Sequence, residues 1–289
     1  MIGMFVDTTS FLVIIIPLLT ACISMPLGAG GHWSIILRDL GVPLGLLMSF
    51  MGFYGMLQNN SDPYSLGPAT SVMLLTSLYG GILAAFGYFW GFRSESSANQ
   101  ENRFNDVKWW APSSPIAIFL VITIWVMDLT GGLGAFFMAL PLSVAVLTSL
   151  IALIYSDKKN LTKAISQSFL LSAMLNVLIG LIVYFQGNEL NENHLGLEIA
   201  ILGIVYSLTF YICFYIWTYK NGANAEIEST LMNWHWLEVS GLIIFMFLAP
   251  ETIRESMLNT RAESAEEAIQ FRIEELERKL EEIGKVEQQ

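Results

Sequence analysis

Apolar runs of about 17 to 24 residues, parted by short polar islands, constrain this chain more than any other feature. About 20 apolar residues wound as a helix cross the roughly 30 Å of hydrocarbon in a bilayer. Backbone polar groups find no water there, so only helices and closed barrels span it. The barrel signature, segments of about ten residues with alternating hydrophobicity, is absent. The sequence therefore predicts an all-α, polytopic transmembrane bundle. Charged residues make up only 13% of the 289 positions, against about 25% in soluble domains.

About eight spans are predicted, at 10–27, 41–57, 68–91, 114–130, 133–155, 166–185, 195–218 and 234–250. Turn chemistry marks several ends. Asp62-Pro63 sits in the first hairpin, Gly67-Pro68 opens the third span, and Asp128 to Gly132 parts the fourth from the fifth. Proline is tolerated in a first helical turn because its missing N–H has no partner there anyway. The first apolar run follows no basic residue, which predicts a retained span rather than a cleaved signal peptide.

Lys and Arg set the orientation. Arg38, Arg93, Arg103, Lys108, Lys158, Lys159, Lys163 and Lys220 fall in alternate loops, and the hairpins 58–66, 128–132 and 186–194 carry none. Positive-inside then places the basic loops in the cytoplasm and the N-terminus outside. In the C-terminal segment 251–289, Ile269, Ile273, Leu276, Leu280 and Ile283 form an apolar seam between charges. That pattern fits a solvated amphipathic helix or a short coiled coil. This tail holds much of the net charge of −11, so nucleic-acid binding has no support. Cys22 and Cys213 lie inside apolar spans and read as packing residues rather than a disulfide.

The chain reads as duplicated. "LQNNSDPYSLG" at 57–67 is echoed by "FQGNELNENHLG" at 185–196, and "IGMFVDTTSFLVIII" at 2–16 by "LGAFFMALPLSVAVL" at 133–147, at an offset of about 130 residues. The predicted organisation is copy one at 1–92, a cytoplasmic loop at 93–113, a degenerate copy at 114–218, a loop and last span at 219–250, and the tail.

Small and polar residues pick out the first copy. Gly45, Gly52 and Gly55 step along the second span and Gly80 sits on the third; small residues let membrane helices approach closely. Ser49, Thr76 and Ser77 place hydroxyls mid-span. Each hydroxyl can bond back to a carbonyl of its own helix. Carboxylates inside a membrane are functional candidates. Asp7, Asp128 and Glu189 fall at external ends, where water accounts for them, Glu198 lies at a helix start that favours negative charge, and Glu238 is the buried-acid candidate. His32 and His194 have no ligands at metal spacing, and no nucleophile elbow or nucleotide loop appears. No cofactor, metal or enzymatic activity is expected.

"GFYGMLQNNSDPYSLGP" at 52–68 and "MLLTSLYGG" at 73–81 resemble the last two membrane helices of the MotA/PomA flagellar stator family, related to TolQ and ExbB. "IGMFVDTTSFLVII" at 2–15 resembles that family's second helix. The resemblance implies an ion-conducting or ion-driven subunit whose path is lined at Ser49, Thr76 and Ser77. It also implies oligomerisation and a single-span MotB/ExbD-like partner that supplies the titrating carboxylate. The family's proline falls one residue off, at Pro43, and a Gly-Thr pair becomes Met48-Ser49. The large cytoplasmic domain that meets the rotor has no counterpart in the short loops 28–40 and 156–165. A non-conducting scaffold is the alternative. "NWHWLEV" at 233–239, with His235, faintly resembles an oxidase subunit and gives a third reading, an accessory subunit of a respiratory complex.

Overall fold

A computed structural model describes residues 7–29, 33–58, 66–95, 109–156, 161–186, 190–219 and 272–273. Seven α-helices follow in order: α1 (Thr8–Ala29), α2 (Trp33–Gln58), α3 (Leu66–Glu95), α4 (Trp110–Gly131), α5 (Ala139–Tyr155), α6 (Leu161–Gln186) and α7 (Leu190–Tyr219). Among the described residues, five helices are long and apolar enough to cross a membrane, and α3 and α5 carry shorter apolar stretches at Leu74–Trp90 and Ala139–Tyr155. The eighth predicted span, with Glu238 and His235, and nearly all of the tail lie outside the described residues.

The two boundaries that differ most from the sequence expectation, the starts of the second and fifth helices, each have a local reason. Helix α2 begins at Trp33, so Arg38 belongs to the helix and not to a loop. Its Nε donates to Asp39 Oδ1 at 2.7 Å, which gives the charge a partner inside the bundle. The fifth helix begins at Ala139, behind a short 3-10 turn at Leu133–Phe136. Gly132 ends α4 with φ +79°. That left-handed conformation suits glycine, and the Gly132 N–H caps Asp128 O at 3.3 Å.

The helices form two groups of three, α1–α3 and α5–α7, joined by α4. Helix α2 packs most extensively on α3, and α6 on α7. Helices α2 and α7 are the innermost, each buried over 78% of its most apolar window, and they meet along the seam between the groups. Outward faces are apolar: Leu74, Leu78 and Ile82 on α3 and Leu147, Leu150 and Ile154 on α5 are exposed. Such a surface is matched to lipid, where it costs nothing, rather than to water.

Helices α1 and α5 share a stagger. The Asp7 N–H donates to the Tyr79 hydroxyl at 3.1 Å, and the Met138 N–H donates to the Tyr206 hydroxyl at 3.0 Å. Each helix therefore starts level with the middle of its neighbouring hairpin.

Candidate functional site

Glycines decide how closely α2 and α3 approach. A Cβ at Gly41 would lie 2.7 Å from Gly80 O, and one at Gly45 would lie 3.0 Å from Thr76 O and 3.1 Å from Gly80 Cα. One at Gly80 would strike Gly41 O and would stand 2.8 Å from Gly45 Cα. Backbone meets backbone here, so no side chain can swing aside to make room.

One turn beyond Gly45 this crossing brings the three predicted hydroxyls together. Ser49 Oγ lies 2.7 Å from Thr76 Oγ1 and 2.7 Å from Ser77 Oγ. Ser49 is 4% and Thr76 6% exposed, while Ser77 is half-buried. A hydroxyl both donates and accepts. Such a cluster can hand on a proton or replace part of an ion's hydration shell, but it brings no charge of its own.

The other predicted packing glycines divide. Gly55 turns to α4, where its Cβ would lie 2.8 Å from Thr130 Cβ. Gly52 is half-buried on α2. Among the acids, Asp7 is no freely solvated end. Its Oδ2 accepts from Ser10 N at 2.8 Å and from the Ser10 hydroxyl, an N-cap of α1. Those two bonds, the hydroxyl's the larger, hold its carboxyl below the usual carboxylate range. Phe11 meets Tyr79 edge-on at 5.6 Å and fixes this end of α1 against α3, the helix of Thr76 and Ser77. Glu198 accepts from Gln58 Nε2 at 2.7 Å across the seam. Among the described residues no three His, Cys, Asp or Glu side chains converge as metal ligands would.

Two polar features escape the sequence expectations. Tyr215 OH donates to Asp39 Oδ2 at 2.6 Å, closing the other end of the seam. In the second group, Ser172 Oγ and Ser207 Oγ lie 2.7 Å apart, and Asn176 Nδ2 donates to Pro141 O at 3.2 Å. A signal for the latter was present, since Ser168, Ser172 and Asn176 recur every fourth residue along an otherwise apolar helix.

Motility protein A of Cereibacter sphaeroides is 48% identical over 46 residues, 16% of this chain and 18% of that protein. Chemotaxis protein PomA of Vibrio alginolyticus is 41% identical over 51 residues, 18% of this chain and 20% of that protein. Motility protein A of Aquifex aeolicus (strain VF5) is 46% identical over 48 residues, 17% and 19% respectively. The chain thus matches a fifth or less of the length of these curated relatives. No family model matches the chain, and no solved structure matches it.

Proposed function

A segment of 46 to 51 residues relates this chain to the MotA/PomA family, and from that premise we propose that it is a non-enzymatic, stator-like subunit of an ion-conducting assembly in the bacterial inner membrane. The observation that carries this reading is the buried contact of Ser49 with Thr76 and Ser77 in a hairpin held closed by glycines. Three convergent hydroxyls give a dehydrating proton or sodium ion oxygen ligands, and a carboxylate from a partner balances its charge.

The partner is a single-span helix of the MotB/ExbD type. Ser77, Gly81 and Ala85 recur every fourth residue on α3; Ser77 and Gly81 are half-buried, Ala85 is exposed, and a Cβ at Gly81 would meet nothing within 4 Å. Small residues on an outward face admit a second helix at close range. A helix laid there brings its acid to Ser77. In this reading residues 1–92 and 114–218 are two copies of one unit, and only the first keeps the hydroxyl path.

The test is ion flux under an imposed gradient in proteoliposomes holding this chain and its candidate partner. The triple variant Ser49→Ala, Thr76→Val, Ser77→Ala should lose flux while assembly and stability change little, because hydrogen bonds between membrane helices average about 0.6 kcal/mol. Equal flux in variant and wild type removes these residues from the path. A scaffold reading is favoured by one feature, that the hydroxyls already satisfy one another. Absence of flux in wild type with bound partner would establish that reading instead.

A further inference from the structure

The second group of helices has a polar centre of its own. Asn176 on α6 and Ser172, one turn before it, are both 0% exposed. Asn176 Nδ2 donates to the Pro141 carbonyl of α5. Its Oδ1 has no hydrogen-bond partner. The side chain is held in place by α7, where a Cβ at Gly203 would strike Asn176 Cβ and would stand 2.6 Å from Cγ and 2.8 Å from Nδ2. The amide lies in the notch that this glycine leaves. On the adjacent rung stand the paired hydroxyls of Ser172 and Ser207.

These rungs match those of the first group under one constant shift in numbering. Gly45 and Gly80 correspond to Ser172 and Ser207, and Ser49 and Thr76 to Asn176 and Gly203. Where the first group crosses glycine on glycine and then gathers hydroxyls, the second crosses serine on serine and then lays an amide over glycine. The second site is therefore built from different groups and has a different need.

That need is a donor. An acceptor sealed in an apolar bundle without one is costly, far more so than a paired one is beneficial. We propose that Asn176 Oδ1 accepts from a single water molecule held where α5, α6 and α7 meet, with the Ser172–Ser207 hydroxyls as its second contact. Side chains four apart on a helix are neighbours on one face, so a water hydrogen-bonded to Asn176 Oδ1 at about 2.8 Å stands beside the turn that carries Ser172. The ligand is neutral. An amide, two hydroxyls and a peptide carbonyl supply the polar groups of these two rungs, and none carries a negative charge to offset the desolvation of a cation. The water ties three helices of the second group together and holds whether or not the first group conducts.

The test is a density map of the full chain in lipid nanodiscs, resolved well enough to show ordered waters, with melting curves in sodium, potassium and choline chloride. The expected map has one peak within hydrogen-bond reach of Asn176 Oδ1 and of Ser172 or Ser207. The wild-type midpoint should be independent of the cation, and Asn176→Leu, which keeps the number of side-chain heavy atoms but removes both polar ones, should lower it by a few degrees in all three salts. A map that shows other buried waters and none here overturns the proposal. A midpoint raised by sodium or potassium over choline, with a cation's shell of oxygens around the peak, overturns it in favour of an ion. Asn176→Leu melting at or above wild type overturns it too; should that variant fail to fold, the wild-type map decides.

Discussion

Asp7 combines a cap and a charge, and two substitutions separate them. Asparagine caps a helix about as well as aspartate, and alanine does not. Asp7→Ala should therefore cost about 1 kcal/mol of stability, and Asp7→Asn only a few tenths. If the charge beside Tyr79 serves the ion path, Asp7→Asn should lower flux in proteoliposomes with its melting midpoint kept; unchanged flux confines Asp7 to capping. The pH dependence has a definite sign. The folded carboxyl titrates below its ordinary value of 3.8 because Ser10 donates to its charged form. Its contribution is present above the ordinary carboxylate range and is lost as pH falls through the lowered value. Asp7→Asn should flatten the acid limb of the stability profile. The sequence shows Ser10 three residues away but gives no sign of Tyr79, 72 residues distant. That is why Asp7 reads as a solvated end from sequence and a docked cap in the fold.

Elements were legible in proportion to how far hydrophobicity alone decides them. Length and apolarity place all seven described helices, because a bilayer rewards any apolar run of the right length. Their ends were less legible. Arg38 reads as a loop charge until it is seen to pair with Asp39, which in turn accepts from Tyr215. Faces were least legible, as adjacent glycines on α3 make plain. A Cβ at Gly80 meets the backbone of α2, and one at Gly81 meets open space. Gly80→Ala should lower stability in detergent by about 1–3 kcal/mol, since the backbones must part. Gly81→Ala should sit near wild type, with the cavity-free change worth at most the helix preference of alanine, about 1 kcal/mol. Thermal unfolding of the two variants side by side checks this; equal losses would mean that α3 is rotated relative to α2. The predicted hydroxyls Ser49, Thr76 and Ser77 do converge, whereas Asn176 went unread because its meaning depends on the notch at Gly203 on another helix.

At the scale of the whole molecule, the seam fixes relative direction. Gln58 at the end of α2 meets Glu198 near the start of α7, and Asp39 near the start of α2 meets Tyr215 near the end of α7. Helices α2 and α7 are therefore antiparallel. Helix α7 is also antiparallel to α6, because Asn176 faces Gly203 while Ser172 faces Ser207. Helices α2 and α6 then point the same way, and the polar hairpins after them, at 58–66 and 186–194, open on one side of the membrane. Neither hairpin carries a Lys or Arg, whereas Lys158 and Lys159 fall between α5 and α6 and Lys163 lies in the first turn of α6. The bias of basic residues toward the cytoplasm predicts a periplasmic hairpin side, which thiol labelling tests. On a background with Cys22 and Cys213 replaced, single cysteines at Asn60 and Asn188 should react with a membrane-impermeant thiol reagent applied to the periplasmic face. Cysteines at Ser96 and Asn160 should react only once the inner membrane is opened. Labelling of Asn60 and Asn188 from opposite sides would break the parallel arrangement of the two groups, and with it the proposed duplication. Labelling of both from the cytoplasm alone would keep the arrangement and invert it. Such an inversion would turn the Ser77 face of α3 around as well, so that a partner's acid would have to reach the hydroxyls from the other direction.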